Sequence, residues 1–305
     1  MKILLTGATG FIGKNVSATL KGDCRNVVRG TSISPFEDSF VIDKIDENTN
    51  WEGAFQNCSS IIHLAGLAHS NTYTLSDYIT TNVNGTLRLA SEAANAGVKR
   101  FVFVSSILVN GNNTKQLPFE FCSDVNPHNA FAKSKYMAEV GLKEISEKTG
   151  LELVIVRPTL VYGLNAPGNF RLLSKLVYKL PFLPFGLTNN KRDFIAVQNL
   201  VNLLITCAKH DNAAGHTFLA SDGESVSIKE FTNAIAEGAG KSILHLPLPV
   251  SLMHICLRFV GKSPMSEQLF GDLQVDSSNI QIVLGWVPPY TMKQAMASLS
   301  DIKND

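Results

Sequence analysis

The sequence predicts an α/β fold with a doubly wound parallel sheet, because short apolar runs rich in β-branched residues alternate with amphipathic stretches through its first half. Several of these runs are apolar almost throughout, which is typical of parallel strands that helices cover on both faces. The clearest predicted strands are "KILLTG", "SSIIHLAG", "KRFVFVSS" and "LELVIVRPTLVYG", and "HTFLASDG" is predicted to return to the sheet later in the chain.

Three helices are predicted between these strands from the residues that should end them. Glycine readily adopts the left-handed conformation that closes a helix, so it is a common stop signal. We expect "FIGKNVSATLKG" to end at Gly22, "LSDYITTNVNGTLRLASEAANAG" to end at Gly97, and the helix over 129–149 to end at Gly150.

The regular alternation stops after residue 163, where proline-interrupted, loop-rich segments begin. This change predicts a dinucleotide-binding domain over 1–165 and about 190–222, and a smaller, discontinuous substrate domain over about 166–189 and 223–305. Two capping-box patterns, "SIKE" and "TMKQ", predict helix starts within the second region.

The composition is that of a globular chain and argues against nucleic acid as a partner. The 305 residues are 45% hydrophobic and 17% charged, and the net charge of +1 supplies no extended basic field for a nucleic-acid backbone. Five dispersed cysteines lack the spacing of a metal site, so we expect reduced thiols, a cytoplasmic location and no bound metal.

Neither apolar segment that could suggest a membrane protein has the required pattern. The N-terminal run is interrupted at Gly7 and Gly10, before the core of a secretory signal could form. The segment "LHLPLPVSLMHICLRFVG" contains Pro247, Pro249 and Arg258, which oppose a spanning helix. We therefore expect no stable membrane insertion, and a buried or interface helix in the later segment.

The motif "TGATGFIG" follows the first predicted strand and begins the first predicted helix. Gly7 would permit the tight turn, Gly10 would leave room for phosphates near the helix N-terminus, and Gly13 would let helix and strand pack closely. In this strand–turn–helix context, the motif predicts a Rossmann-type dinucleotide site.

Arg29, near the end of the second strand, bears on which dinucleotide binds. It stands where an acidic residue would hold an adenosine ribose, and a cation there suits the 2′-phosphate of NADP. The sequence thus favours NADP(H), with NAD as the alternative if Arg29 is only a solvated surface residue.

Taken together, the motifs resemble the extended short-chain dehydrogenases that act as nucleotide-sugar epimerases, dehydratases and reductases. The resemblance runs over nearly the whole chain, and in its finer texture is similar to bacterial enzymes that reduce or epimerise C4 of a UDP-linked N-acetylhexosamine. It implies a UDP-sugar substrate and is compatible with a homodimer. The segments that carry it are "TGATGFIG", "IIHLAG", "NVNGT", "FVFVSS", "FAKSK", "RPTLVYG", "GNF", "KRDFIAV" and "LGW".

The resemblance also implies roles for individual residues on the cofactor side. Ser106 corresponds to a serine that hydrogen-bonds the sugar hydroxyl or ketone, with capping of the strand end as its alternative role. Lys135 corresponds to a lysine that holds the nicotinamide ribose and lowers the pKa of a tyrosine one turn earlier. The remaining cofactor contacts that it implies are Phe11, Ile12, Lys44, Ile45, Leu64, Ala65, Gly66 and Pro158.

On the substrate side, Arg192 corresponds to an arginine that clamps the nucleotide diphosphate, a task that suits bidentate guanidinium geometry. Its alternative is an ion pair with Asp193. Asn169 corresponds to a residue that contacts the diphosphate or uridine, with a helix N-cap as its alternative role. Asn82 is interpreted as a structural support for the active-site backbone.

Phe131 departs from the family pattern, since it stands where the tyrosine four residues before the lysine belongs. A phenyl ring has no proton to exchange, and Tyr136 lies on a different part of the helix circumference. Three explanations are open: an engineered substitution that traps a complex, a natural variant that uses water or another donor such as His69, or a binding protein descended from an enzyme.

Two further departures bear on the reaction. Ile107 and Leu108 stand where dehydratases carry acidic groups, so a 4,6-dehydratase is disfavoured. Glu267 and Gln268 stand where a basic residue often helps to bind the diphosphate. The leading hypothesis is an NADPH-dependent 4-keto reductase, with a 4-epimerase that retains NAD and a non-enzymatic nicotinamide-dependent sensor or scaffold as alternatives.

Overall fold

The computed structural model describes residues 2–30, 36–68, 72–114, 117–259 and 263–300. Within them the strands are β1 Lys2–Thr6, β2 Cys24–Arg29, β3 Ser39–Ile42, β4 Cys58–His63, β5 Arg100–Val104, β6 Glu152–Pro158, β7 Leu160–Tyr162, β8 Phe182–Leu183, β9 Arg192–Ala196, β10 Thr217–Ala220, β11 Ser225–Val226 and β12 Leu244–His245.

The helices pack around and beyond these strands. A six-residue π segment, Ile79–Asn84, joins the second helix to the third. The α-helices are α1 Phe11–Leu20, α2 Leu75–Tyr78, α3 Gly85–Asn95, α4 Ala130–Thr149, α5 Gly168–Lys179, α6 Val197–Lys209, α7 Ile228–Gly238, α8 Val250–Phe259, α9 Ser263–Phe270, α10 Ser278–Leu284 and α11 Met292–Ala297.

The main sheet has seven strands in the order β10-β6-β5-β4-β1-β2-β3, and every neighbouring pair is parallel. From β1 the chain adds β2 and β3 on one side of the sheet, and from β4 it adds β5, β6 and β10 on the other side. The gap between β1 and β4 is therefore the topological switch point. The prediction of a doubly wound parallel sheet is therefore confirmed, as is the return of the "HTFLASDG" strand, which is β10.

Buried apolar side chains cover both faces of this sheet. One cluster joins the sheet to α1 and α6, and a second joins its other face to α3 and α4. A third cluster lies around β7, β9, α5 and α7. The small sheet β11-β9-β7 and the parallel pair β12-β8 lie outside the main sheet. The predicted domain boundaries stay a prediction.

Two of the expected element boundaries were wrong. The expected strand "LELVIVRPTLVYG" is two strands: β6 ends at Pro158, which has no backbone N–H for a ladder, and β7 pairs with β9 in another sheet. The first helix ends at Leu20, and it is Lys21, with φ of 48°, that takes the positive backbone angle expected at Gly22. The stops at Gly97 and Gly150 are confirmed by their φ of 77° and 75°.

The helix starts predicted from the capping boxes are also confirmed. Ser227 and Glu230 cap each other at the start of α7, and Thr291 and Gln294 do the same for α11. Each pair satisfies two backbone N–H groups that would otherwise lack a partner.

Candidate functional site

The glycine loop between β1 and α1 has the shape that a bound dinucleotide needs. Gly7 has φ of 72°, and a Cβ there would lie 2.9 Å from the backbone nitrogen of Ala65. A Cβ on Gly13 would lie 2.0 Å from the carbonyl oxygen of Gly7, so only glycine permits this close packing of helix on strand. The N-terminal N–H groups of α1 receive no side-chain cap from Gly10, which suits them to bind phosphate.

A cleft of about 340 Å³ opens above this loop at the switch point of the sheet. Most of the predicted cofactor contacts meet there, from the ends of four different strands. The predicted residues that line it are Gly7, Gly10, Arg29, Lys44, Ile45, Leu64, Ala65 and Gly66, and the lining residues that sequence reasoning missed are Thr9, Val27, Ile42, Asp46, Leu67, Thr80 and Thr81.

Five predicted cofactor residues do not line this cleft, and one of them, Lys135, lies behind Gly66 at its border. Phe11 and Ile12 pack against the apolar cores, Gly13 packs against the loop, and Pro158 is buried at the end of β6. A sequence motif cannot distinguish such packing from contact with a ligand, because both require the same small or hydrophobic side chains.

The charged edge of the cleft combines both signs. Arg29 ends β2 and is exposed, as a residue that contacts a 2′-phosphate would have to be. Lys44 Nζ lies 2.5 Å from Asp46 Oδ2, so the charge of Lys44 is neutralised. Asp46 was not among the residues predicted from the sequence. Arg29 therefore remains the cation of this edge whose charge is not neutralised by Asp46.

Lys135 joins α4 to the carboxyl end of β5. Its Nζ donates a 3.0 Å hydrogen bond to the carbonyl oxygen of Val104 and lies 4.8 Å from the centre of the Phe103 ring. Burial lowers the pKa of Lys135 to about 8, while the negative charge of Glu139 acts in the opposite direction. A Cβ built on Gly66 would lie 3.6 Å from Nζ, so the ammonium borders the cofactor cleft.

Ser106 follows Val104 by two residues and lies at the same edge of the sheet. Its Oγ accepts a 3.2 Å hydrogen bond from the backbone N–H of Leu108 and caps the 3₁₀ turn over Ile107–Val109. The capping role that sequence reasoning held as an alternative is therefore present. The hydroxyl proton is still available to donate, because the cap uses the oxygen only as an acceptor.

Phe131 lies one helical turn before Lys135, as the spacing predicted. Its ring meets the Tyr78 ring edge to face, with centroids 6.1 Å apart. The Tyr78 hydroxyl donates to the carbonyl oxygen of Ala68 at 3.1 Å. Tyr78 is thus a phenol beside Phe131 that sequence reasoning missed, and only the fold could bring it there. His69, the alternative proton donor considered from the sequence, lies outside the described residues.

Asn82 has the supporting role that the sequence suggested. Its Oδ1 accepts a 2.7 Å hydrogen bond from the backbone N–H of Leu67, and its Nδ2 donates to the Leu67 carbonyl oxygen and to Ser134 Oγ at 3.1 Å each. These bonds tie the loop after β4 to α4. A Cβ on Gly66 would lie 2.8 Å from Asn82 Oδ1, which explains the need for glycine there.

A buried ionic network beneath Lys135 and Ser106 was not predicted from the sequence. Glu139 accepts hydrogen bonds from Ser105 Oγ at 2.5 Å and from Arg157 at 2.9 and 2.5 Å, and Arg157 also donates to Asn110 Oδ1 at 2.9 Å. Glu139 follows Lys135 by one turn, a spacing visible in the sequence. Its pairing with Arg157, on β6, is a tertiary contact that periodicity cannot reveal.

His63, at the end of β4, is a second buried polar group that was missed. It is fully buried between Thr6 Oγ1, 2.7 Å from Nδ1, and Thr86 Oγ1, 2.8 Å from Nε2. Burial, together with the smaller effect of the Lys135 charge, lowers its pKa to about 3. The imidazole is therefore neutral and joins β1, β4 and α3 just below the cleft.

Arg192 is the first residue of β9, in the small sheet outside the main one. Its Nη1 donates a 2.7 Å hydrogen bond to the carbonyl oxygen of Gly271, and burial lowers its pKa to about 10, so it remains charged at neutral pH. The alternative of an ion pair with Asp193 is wrong for the described residues, because that carboxylate accepts from Ser225 Oγ and from the Val275 N–H instead.

Packing connects Arg192 to the Ser106 side of the site. Arg192 forms a β-bridge with Leu273, and Leu273 packs in one buried cluster with Ile107, the neighbour of Ser106. Asn169, on the first turn of α5, is exposed and its Nδ2 donates to Gln268 Oε1 at 3.0 Å. The N-cap alternative for Asn169 is wrong, because Pro167 occupies the N-cap of α5.

The remaining expectations concern metals, thiols and membranes. Among the described residues, no three His, Cys, Asp or Glu side chains are grouped so that they could hold a metal ion. All five cysteines are unpaired. No helix in the described part of the chain has both the length and the apolar character that crossing a bilayer requires.

Comparison with known proteins gives a consistent family assignment. The model of the NAD dependent epimerase/dehydratase family matches residues 3–220. The UDP-glucose 4-epimerase of Vibrio cholerae is 38% identical over 302 residues, which cover 96% of this chain and 92% of that protein. The N-acetyl-alpha-D-glucosaminyl-diphospho-ditrans,octacis-undecaprenol 4-epimerase of Escherichia coli O157:H7 is 27% identical over 310 residues, with 96% and 92% covered.

The fold is shared with solved structures at lower identity. The UDP-N-acetylglucosamine 4-epimerase from Bacillus cereus superimposes with a TM-score of 0.82 at 20% identity, and the match covers 100% of both chains. The UDP-glucuronic acid 4-epimerase from the same organism, in complex with NAD, gives a TM-score of 0.77 at 19% identity, covering 99% of this chain and 96% of that one.

Proposed function

Because the chain belongs to the NAD dependent epimerase/dehydratase family, we propose that it acts as a nucleotide-sugar 4-epimerase on a UDP-hexose or UDP-N-acetylhexosamine. The observation that carries this proposal is that Lys135, which borders the cleft at Gly66, is bonded to the carboxyl end of β5, the strand that Ser106 follows. A ligand held there lies at the switch point of the sheet, where doubly wound folds bind their substrates.

The residues present fit a nicotinamide dinucleotide. The loop at Gly7, Gly10 and Gly13 leaves no room for a Cβ and presents the N-terminus of α1, which suits a pyrophosphate. Lys135 borders the cleft at Gly66 and would hold the nicotinamide ribose. The cofactor would supply the site with reversible hydride transfer, which the side chains themselves cannot provide.

The remaining side chains would bind and polarise the sugar nucleotide. Ser106 Oγ would donate a hydrogen bond to the oxygen at C4. Arg192, buried and charged, would pair with the diphosphate, because a desolvated guanidinium binds oxyanions with short, charge-assisted hydrogen bonds. Asn169 would contact the same diphosphate or the uridine from α5.

Proton transfer at C4 is the step for which the usual group is absent, since Phe131 has no hydroxyl. Losing a general acid or base typically lowers the rate by about 10²–10⁴. Tyr78 is the candidate for a natural rearrangement, because its ring packs against Phe131; its hydroxyl, which donates to the Ala68 carbonyl oxygen, would have to turn toward C4. A protein that binds NAD(H) without turnover, as a sensor or scaffold, is the alternative from a different class.

A 4-keto reductase is the second candidate, and Arg29 favours it. An exposed arginine at the ribose end of the cleft suits NADPH, and a reductase must exchange its cofactor at each turnover. An epimerase returns the hydride to the same sugar and consumes none. The buried, apolar Ile107 leaves the neighbouring position without the acid that a dehydratase needs, so elimination is disfavoured.

The test is to incubate the protein with UDP-glucose, UDP-N-acetylglucosamine and a 4-keto UDP-sugar, each with NAD, NADH or NADPH. Interconversion of C4 epimers without net change in nicotinamide absorbance supports the epimerase. Stoichiometric loss of NADPH with the 4-keto sugar supports the reductase instead. Absence of turnover with every sugar, while the cofactor still binds, contradicts both.

The unpaired cysteines support a proposed cytoplasmic location, where nucleotide sugars and reduced cofactors are available. A small-molecule UDP-sugar is the proposed partner, without nucleic acid.

A further inference from the structure

The part of the chain beyond the main sheet exposes several large apolar side chains on neighbouring elements. These side chains lie on the solvent-facing sides of α5, of the β8–β12 pair and of α8, which together form the basic apolar face. Leu244 is 73% exposed, Phe182 is 50% exposed and Phe259 is 88% exposed. Isolated exposed apolar residues are common on soluble proteins, but contiguous apolar patches usually mark an interaction site.

The two short strands establish that part of this surface is continuous. Phe182 and Leu244 are register partners in the β8–β12 pair, so their side chains lie on the same side of it. Leu246 follows Leu244 by two residues and lies on that side as well, while Leu183 is buried on the other. The apolar residues thus face solvent because the register of the strands holds them there.

Two helices adjacent to the strand pair in sequence also expose apolar residues. In α5, the exposed Leu172 and Leu176 are one turn apart, and α5 leads through Pro181 directly into β8. In α8, Leu252, Ile255 and Phe259 follow the i, i+3, i+7 spacing and are all exposed, although the opposite side of that helix packs into the core.

Hydrogen bonds join the end of α5 to the segment that leads into β12, so α5 and the β8–β12 pair form one surface. Lys241 Nζ donates to the carbonyl oxygen of Tyr178 at 3.0 Å, and the backbone N–H of Leu244 donates to the carbonyl oxygen of Pro181 at 3.2 Å.

The charge of this face is of one sign. The chain as a whole has 26 Asp and Glu against 27 Lys and Arg, yet the stretches 164–192 and 238–266 contain no Asp or Glu at all. Exposed basic residues alternate with the exposed leucines of α5. Others lie on α8 and just before β12. The basic residues are Arg171, Lys175, Lys179, Lys241 and Arg258.

We propose that the basic apolar face docks the protein on the surface of an anionic lipid bilayer. Leucine and phenylalanine side chains would enter the headgroup–acyl boundary while the lysines and arginines contact lipid phosphates, the combination that interfacial amphipathic segments use. A second copy of the chain fits less well, because a symmetric contact would bring two surfaces of the same charge together.

Docking would bring the candidate active site close to the bilayer. Asn169 lies at the start of α5, whose exposed side belongs to the face, and its partner Gln268 lies on α9, which packs against α8. The proposal does not depend on the proposed reaction, since it concerns residues outside the cleft.

The test is flotation of the full chain with vesicles of phosphatidylglycerol and phosphatidylcholine, and with vesicles of phosphatidylcholine alone. We expect flotation with the anionic vesicles that weakens as salt rises. Each basic residue near an anionic surface changes binding on the order of fivefold, so Lys175→Gln with Lys179→Gln should weaken partitioning about 25-fold. Phe182→Ser with Leu244→Ser should weaken it at least about tenfold.

Matched controls lie on the main-sheet side of the protein. Lys143→Gln with Lys209→Gln removes two exposed lysines from α4 and α6, and Ile282→Ser removes an isoleucine that is 80% exposed on α10. These variants should float like the unmodified protein. Cofactor binding by every variant confirms that it is folded, and the lysine variants keep the test valid if the apolar pair misfolds.

Three results would overturn the proposal. The first is no flotation with anionic vesicles at low salt. The second is an equal loss in the control variants. The third is a dimer in analytical ultracentrifugation that the Phe182 and Leu244 changes dissociate while flotation is unaffected, because a second copy would then cover the face.

Discussion

Lys135 donates a 3.0 Å hydrogen bond to the carbonyl oxygen of Val104, and this contact holds α4 against the carboxyl end of β5. The ammonium is buried and borders the cofactor cleft at Gly66. One turn earlier on the same helix, Phe131 presents a ring without a hydroxyl. The lysine of the expected catalytic pair is therefore in position, while its phenol partner is absent.

Phe131→Tyr should raise turnover by about 10²–10⁴, because it adds a phenol one turn from Lys135 on an unchanged backbone. Affinity for the cofactor should hardly change, since the glycine loop and Lys135 hold it. Single-turnover hydride transfer, followed by nicotinamide absorbance with UDP-sugars, measures the gain. Phe131→Leu is the matched control and should give none.

The proton source in the Phe131 protein can be examined with Tyr78→Phe. If Tyr78 supplies the proton, this change should abolish the residual activity, and Phe131→Tyr should restore it. Equal activity with and without the Tyr78 hydroxyl would exclude Tyr78 and leave water or His69 as the donor.

Arg192→Ala should weaken binding of UDP or a UDP-sugar by at least about 1.5–3 kcal/mol, the magnitude of a charge-assisted hydrogen bond. Isothermal titration calorimetry measures the loss, and circular dichroism verifies the fold. Lys191→Ala removes the neighbouring exposed cation and should have little effect. Unchanged UDP affinity in a folded Arg192 variant would show that the guanidinium only supports the backbone at Gly271.

NADP(H) should bind more tightly than NAD(H) if Arg29 contacts the 2′-phosphate. Arg29→Ala should then reduce the preference for NADP(H) and leave NAD(H) affinity nearly unchanged, whereas Arg88→Ala, an exposed arginine on α3, should change neither. Titration of both cofactors is the measurement. A reversed preference in the unmodified protein would favour the epimerase with retained NAD.

Glu139→Gln should destabilise the fold by about 3–5 kcal/mol, because it leaves Arg157 buried without its carboxylate. It should also lower the pKa of Lys135, since the Glu139 charge raises it. Urea unfolding measures the first effect and the pH dependence of turnover the second. Glu144→Gln removes a carboxylate from an exposed pair with Lys148 and should cost less than about 1 kcal/mol.

His63 should make the fold sensitive to acid. Its pKa is about 3 in the folded protein against 6.5 for an ordinary histidine, so between these values the unfolded chain binds a proton that the folded chain does not. Stability should thus fall as pH falls through this window, by up to about 1.4 kcal/mol per pH unit from this residue. In His63→Gln the slope of unfolding free energy against pH should decrease over pH 6.5 to 3, and an identical slope would contradict the assignment.

The sequence by itself determined the features that depend on neighbours along the chain. The glycine turn at Gly7, the helix ends at Gly97 and Gly150, and the capping box at Ser227 each follow from local backbone geometry. The placement of Lys135 one turn after Phe131 follows from helical periodicity. The family resemblance then assigned roles to these positions.

Only the tertiary structure decided which distant residues meet. Arg157 reaches Glu139, His63 lies between two threonines, and Tyr78 contacts Phe131 because strands and helices far apart in sequence pack together. The division at Pro158 and the exposed pairing of Phe182 with Leu244 likewise depend on strand partners. Apolar residues read the same in a sequence whether they are buried or exposed, since burial is a property of the packed fold.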